Sequence, residues 1–146
     1  MVDVTTEIVI KRPRDRVSEY ASDPDNAPRW YVNIKSVEWK TAKPLTLGSQ
    51  IAFKAKFLGR QLAYVYEIVE LVPGQKLVMR TSDGPLLMET TYHWEDVDGE
   101  GTRMTLRNRG NPKGFSRLFA PFMSWAMRRA NRKDLKRIKS ILEEQR

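Results

Sequence analysis

His93 is the only histidine in this chain, and there is no cysteine. A histidine-based metal site would need partner ligands that are missing, and a Ser-His-Asp arrangement would rest wholly on His93. The absence of cysteine removes disulfides, thiolate catalysis and cysteine-based zinc sites together. No metal or cofactor is therefore expected. In the run from Leu87 to Glu95, alternation sets His93 with Glu89 and Glu95, opposite Met88, Thr90, Tyr92 and Trp94. That phase predicts an exposed strand histidine. Glu100-Gly101 is not a phosphate loop, because such loops join a strand to a helix and this one joins two strands. Acid–base chemistry would need a carboxylate or arginine directed inward. Glu67, Glu70, Arg80, Glu89 and Arg107 are available, but alternation places most of them opposite the aromatic face.

What the sequence offers in quantity is aromatic and thioether side chains at strand spacing. Phe53, Phe57, Tyr64, Tyr66 and Met79 form one part of the set, and Met88, Tyr92, Trp94 and Met104 the other. Each taken alone reads as a packed core residue. Together they are able to line a cavity, since tyrosine and tryptophan give apolar walls with a polar tip and methionine adapts to irregular shapes. A few polar groups in a mainly apolar pocket is the usual pattern of a small-molecule site. Tyr64, Tyr66, Thr90, Tyr92 and Asn108 are the candidates for those groups. The facing of residues 62–71 stays open, because Ala63, Val65, Val69 and Leu71 are also apolar.

These residues must be positioned by a sheet. Residues 3–11 have the β-branched content of a strand, and Pro13 opens a short helix reaching about Ser22. Asp23 is a candidate N-cap ahead of Pro24, starting a second short helix over Ala27 to Tyr31 with Trp30 and Tyr31 as its apolar payload. Strands follow around Val37–Trp39 and over 50–57, 62–71, 76–81, 87–95 and 102–109, each pair joined by a turn rich in Gly, Pro, Asp or Ser. Consecutive strands on short turns make an antiparallel meander.

The last quarter, from about Gly114, is the one segment with long helical periodicity. Phe115, Leu118, Phe119, Phe122, Met123, Ala126 and Ala130 lead into Leu135, Ile138, Ile141 and Leu142 at spacings of three and four. A helix of about 25 residues spans nearly 40 Å, the length of a small domain. Pro121 inside the pattern means that the helix starts or kinks there. A one-faced sheet and a one-striped helix need each other, so the simplest architecture curls the sheet around the helix.

The segment from Lys113 onward holds ten basic and three acidic residues, which leaves only about one unit of the net charge of +8 for the rest. A solvated outer helix face is the plain reading of that charge. No aromatic residues are expected among its outer basic positions, so nucleic acid is not the expected partner; peripheral contact with an anionic membrane is an alternative. At 146 residues with 40% hydrophobic and 30% charged content, a single folded domain over 1–146 is expected. With no signal sequence or membrane span visible, the expected location is the cytoplasm.

In this order of elements the chain resembles the START-like, helix-grip superfamily (SRPBCC), nearest the polyketide cyclase/dehydrase and lipid-transport group. The resemblance is carried by Pro13-x3-Val17-x2-Tyr20, by Asp23-Pro24 with Pro28-x-Trp30-Tyr31, and by Ile34-x2-Val37. Gly48-Ser49, Glu70-x2-Pro73-Gly74-x2-Leu77 and the run Gly101 to Leu106 extend it along the chain. It implies an α+β helix-grip fold: a curved antiparallel sheet of about seven strands, two short helices after the first, and a long C-terminal helix in its grip. It further implies a cavity between sheet and helix for a lipid, polyketide or similar molecule. Phe119 and Met123 from the helix and Trp30, near the segment that gates the cavity in the family, then join Thr90 and the strand set as candidate ligand contacts. Three readings follow: a carrier or sensor of a small hydrophobic molecule, a cyclase/dehydratase-type enzyme using the same pocket, and a module docking on anionic membrane or nucleic acid. The oligomeric state is left open.

Overall fold

A computed structural model describes residues 2–83, 86–112 and 120–145. The chain begins with strand β1 (Val2–Ile10) and helix α1 (Arg14–Ser22), with Pro13 as the N-cap of α1. A single 3₁₀ turn (Pro24–Asn26) follows, and the Asp23 side chain caps it by accepting from the Asp25 N–H at 3.0 Å. Helix α2 (Ala27–Trp30) leads into strands β2 (Ile34–Trp39), β3 (Gln50–Phe57), β4 (Arg60–Val72), β5 (Lys76–Asp83), β6 (Leu86–Val97) and β7 (Gly101–Pro112). Helix α3 (Ala120–Glu144) closes the chain.

The strands form one seven-stranded sheet in the order β1-β7-β6-β5-β4-β3-β2, and every pairing is antiparallel. Six of them are a plain meander, and β1 joins at the far edge beside β7. The β3–β4 hairpin turns in two residues, Leu58 and Gly59, both at positive φ (52° and 77°). That geometry matches the twist of the flanking strands and suits glycine better than leucine.

The open facing of β4 has a structural cause. Tyr66 and Ile68 point to the interior, but the register with β5 shifts between Ile68 and Glu70. Beyond that bulge Leu71, an odd position, packs on the core. The extra residue exchanges the two faces, so no single alternation describes this strand.

Helix α3 lies across the inner face of the sheet. Met123 packs with Val2 and Val4 at one end, and Leu135, Ile138 and Leu142 join the main core at the other. Pro121 is the second residue of the described span of α3. Residues 113–119, including Phe115, Leu118 and Phe119 of the expected stripe, lie outside the described residues. At its C-terminal end the Arg12 guanidinium donates to the Glu143 and Gln145 carbonyl oxygens, the latter at 2.8 Å. These are the carbonyls a helix end leaves without partners.

Two expectations about α3 are corrected. Phe122, placed on the buried stripe by its spacing, is 51% exposed, and Trp125 beside it is 55% exposed. The outer face therefore does hold aromatics among its basic positions. Near the described beginning of α3 the buried positions are Met123 and Ala126, with Met127 partly buried beside them, and Phe122 and Trp125 fall outside that stripe.

The sheet's outer face carries charge. Arg107 holds Asp3 through two hydrogen bonds (2.9 and 2.7 Å), and Glu89 sits between Arg80 (2.7 Å) and Arg109 (2.9 Å). Arg80, Glu89 and Arg107 thus point away from the interior, as alternation requires. His93 is there too, partly exposed, with Nδ1 3.3 Å from Glu95.

Candidate functional site

Between β3–β6 and the first half of α3 the interior is not filled. A cavity of about 120 Å³ remains, mostly apolar in its walls. Phe53 and Phe57 come from β3, Tyr64 and Tyr66 from β4, and Met79 from β5. Met88, Thr90 and Tyr92 come from β6, all on the inward phase of their strand. Met127 and Ala130 close it from the helix. The aromatic rings brace one another: Phe53, Tyr64 and Tyr66 form a triangle with centroids 5.3–5.9 Å apart, two of its three contacts edge-on.

Three polar groups interrupt the apolar wall. The first is a chain: Tyr66 O–H donates to Thr90 Oγ1 (2.8 Å), and Thr90 donates to Asn108 Oδ1 (2.5 Å). The second is the hydrogen-bonded hydroxyl pair of Tyr31 and Tyr92. Burial raises the pKa of Tyr66 to about 12 and pushes Tyr31, Tyr64 and Tyr92 up as well. All four phenols are accordingly neutral at physiological pH and able to donate. The third group is on the helix. Asn131 and Asp134 stand one turn apart on the inward face, 4% and 2% exposed. Asp134 Oδ1 accepts the Val32 N–H at 2.8 Å, and Asn131 Nδ2 has no hydrogen-bond partner among the described residues.

Asp134 is the inward ionisable group of this cavity that the strands do not supply. Burial raises its pKa to about 7, against the opposing pull of the Val32 hydrogen bond and the Arg137 charge. A carboxyl balanced near neutrality exchanges a proton readily at working pH.

Eight of the expected contact residues meet at the cavity wall: Phe53, Phe57, Tyr64, Tyr66, Met79, Met88, Thr90 and Tyr92. Trp30, Trp94, Met104 and Met123 are placed elsewhere, each at most 2% exposed. Trp30 is a core anchor: its ring packs 4.1 Å from Tyr31 and 5.7 Å from Tyr92, behind the wall. Trp94 and Met104 face each other across β6 and β7 in the part of the interior that α1 and α2 fill. Met123 packs on Val2 and Val4, one helical turn before the wall. Phe119 lies outside the described residues. The cavity also gathers Tyr31, Asn33 and Ile34 from the segment after α2, together with Asn131 and Asp134. The signal for the last two was present: 127, 130, 131, 134 and 138 keep the helical three-and-four spacing, and only their polarity hid them.

A seven-stranded antiparallel sheet gripping a C-terminal helix, with two short helices between the first two strands, is the helix-grip α+β fold. The chain matches the polyketide cyclase / dehydrase and lipid transport family over residues 1–143, and it belongs to that family. No curated protein matches it by sequence. Among solved structures it is similar to TTHA0849 from Thermus thermophilus (TM-score 0.85, 19% identity, 99% of either chain covered). It is also similar to the Zhui aromatase/cyclase of a Streptomyces species (0.80, 14%, 97% of this chain and 93% of that one). A START superfamily protein from Mycobacterium smegmatis gives 0.83 at 12% identity, with 97% of both chains covered. At these identities the likeness is one of fold. No described helix is long and apolar enough to cross a membrane.

Proposed function

We propose that this protein binds a small hydrophobic molecule carrying one or two oxygen functions, in the cavity between β3–β6 and α3. The observation that carries the reading is the convergence of separate polar groups on an otherwise apolar cavity of about 120 Å³. A wholly apolar cavity selects by size and shape alone; polar groups placed in it add a choice of oxygen function and orientation. The unpaired Asn131 amide and the Asp134 carboxyl give a donor and an acceptor side by side, suited to a carbonyl or hydroxyl oxygen. The size points to a single-ring compound. An engineered cavity of about 150 Å³ takes up benzene, whereas drug-sized ligands need roughly 300 Å³ or more. A larger guest requires the methionine walls, Met79, Met88 and Met127, to change rotamer, which their side chains do at low cost.

The test is native mass spectrometry of the purified protein, followed by extraction of any bound compound, alongside thermal-shift titration with phenols and cyclic ketones of increasing size. A co-purified or stabilising single-ring compound supports the proposal. It fails if nothing co-purifies and no member of the series stabilises the wild type more than an Ala130→Phe variant with the cavity filled.

Asp134 favours a second reading, an acid–base enzyme of the cyclase/dehydratase type. There the carboxyl would take a proton from a carbon next to a carbonyl or return one to a departing hydroxyl, with the neutral tyrosines holding the oxygen. An Asp134→Asn variant that still binds a cyclisable polyketone but no longer turns it over separates this reading from the carrier. Equal turnover by both proteins removes it.

A further inference from the structure

The outer face of α3 has a composition that neither the core nor the cavity explains. Near its described beginning it presents Phe122 and Trp125, both more than half exposed and stacked with ring centroids 6.0 Å apart. The Arg129 guanidinium lies over the Trp125 ring at 5.8 Å. Along the same outward side come Arg128, Arg132, Lys133, Lys136 and Arg137, all exposed. Between Phe122 and Lys139 the one acidic residue, Asp134, points inward. Among the described residues Arg128, Arg132, Lys133 and Lys136 make no ion pair. An aromatic pair followed by a band of uncompensated cations runs for about 22 Å along the helix.

We infer that this face docks on an anionic lipid bilayer, with Phe122 and Trp125 in the interfacial layer and the Arg/Lys band on the headgroups. Charge complementarity supplies the first argument: cations near a negatively charged leaflet gain energy additively, and no acid opposes them here. The aromatic pair supplies the second. Exposed Trp and Phe suit the membrane–water boundary, where an apolar ring and a polar edge are both satisfied. The pair also argues against a single-stranded nucleic acid, because its rings stack on each other, with Arg129 over Trp125, and do not form a spaced series of platforms for successive bases. Position supplies the third. Met123, next to Phe122, packs against Phe57 and Met127, and both of those line the cavity. Leu58, the residue after Phe57, is itself exposed. The docking end and one end of the cavity are thus a few side chains apart, a placement that would let an apolar molecule pass between bilayer and interior.

The experiment is vesicle co-sedimentation at low and moderate ionic strength. It uses phosphatidylcholine alone or mixed with phosphatidylglycerol, and double-stranded and single-stranded DNA in parallel. The expected result is binding to the anionic vesicles only. Each neutralised cation should weaken binding by about fivefold, so an Arg129→Gln/Arg132→Gln/Lys133→Gln variant should be close to unbound. A Phe122→Ala/Trp125→Ala variant should lose at least about tenfold, because buried apolar area drives interfacial insertion. These side chains are exposed, so unchanged denaturation curves will show that the variants remain folded. Trp125 emission, obtained by subtracting the spectrum of Trp125→Phe, should shift to the blue on anionic vesicles. Failure to bind anionic vesicles at low salt overturns the inference, and so does equal binding by the aromatic double variant. Tighter binding to DNA at matched salt, or a dimer in solution that shields Trp125 without lipid, assigns the face to another occupant and overturns it as well. None of these outcomes depends on what the cavity holds.

Discussion

Tyr92 and Trp94 are two residues apart on one strand and face the same way, yet they belong to different kinds of interior. Trp94, opposite Met104, is buried in the core away from the cavity, whereas Tyr92, opposite Leu106, stands at the cavity wall. Sheet face, helix and residue types are shared between the two halves. The difference comes from α1 and α2, which deliver Val17, Ala21, Ala27 and Trp30 into one half and nothing into the other. A cavity in this fold is thus the region that the inserted helices leave unfilled. Its walls follow the same alternation as the core, and its emptiness is set by a distant part of the chain.

Truncating the same side chain in each half tests that contrast. Met104→Ala creates a new void in dense packing and is expected to cost about 4 kcal/mol, while Met88→Ala merely widens a space already there and should cost about 2 kcal/mol. Urea unfolding of both variants measures the gap, and equal losses would erase the distinction between the halves.

Asp134 allows a sharper test of the hollow half. Its pKa is raised in the folded protein to about 7, so the fold binds a proton that the unfolded chain releases between about pH 4 and pH 7. Stability from this group therefore falls as pH rises through that window and is lowest above it. Asp134→Asn should remove the slope and, at pH 8, stabilise the protein by on the order of 4 kcal/mol relative to wild type. The difference should vanish near pH 4. Parallel pH–stability curves for the two proteins would show that the carboxyl is not buried as described.

A smaller effect is expected at the hydrogen-bonded chain. Thr90→Val strands both the Tyr66 hydroxyl and the Asn108 carbonyl, for a loss of about 2 kcal/mol, whereas Tyr66→Phe removes one end and should cost about 1 kcal/mol. The double variant should lose less than the two together. Strict additivity, read from denaturation of the cycle, would mean that the chain does not act as a unit.

The outer face of the sheet sets the lower limit. Arg107→Gln breaks the exposed pair with Asp3 and should give the smallest stability change of the series, smaller again in high salt. The hydrogen bond from Arg107, helped by its charge, holds the Asp3 carboxyl below its ordinary range, so the contribution of this pair is present near neutral pH and is lost as pH falls through that depressed value. A loss as large as that at Met104 would mean the outer ladder holds the sheet together as firmly as the core.

Much of this was readable beforehand because a strand's two-residue period leaves little freedom. Once Phe53, Tyr64, Met88 and Tyr92 are on strands joined by short turns, they share one face. That regularity ends where a local irregularity or a second element intervenes. The bulge after Ile68 exchanges the faces of β4, so Leu71 packs inward against the phase set by Tyr66. Trp30 has the composition of a gate and the position of an anchor, because its short helix is pressed between β2 and α3. Phe122 keeps helical spacing with Ala126 but lies just past the edge of the buried stripe. Asp134 has the sequence signature of a solvent-facing position, because charge on a helix usually marks the solvent side.

The sequence by itself determined the strands, their turns, the inward face of the sheet and the long helix needed to cover it, since these follow from periods of 2 and 3.6 acting over a few residues. Tertiary structure alone decided which half of the interior stays open, that Asp134 is buried there and titrates near neutrality, and that Phe122 and Trp125 are left outside among arginines. Those outcomes depend on which distant surface each side chain meets, and a carboxyl's pKa or a ring's exposure is a property of that meeting.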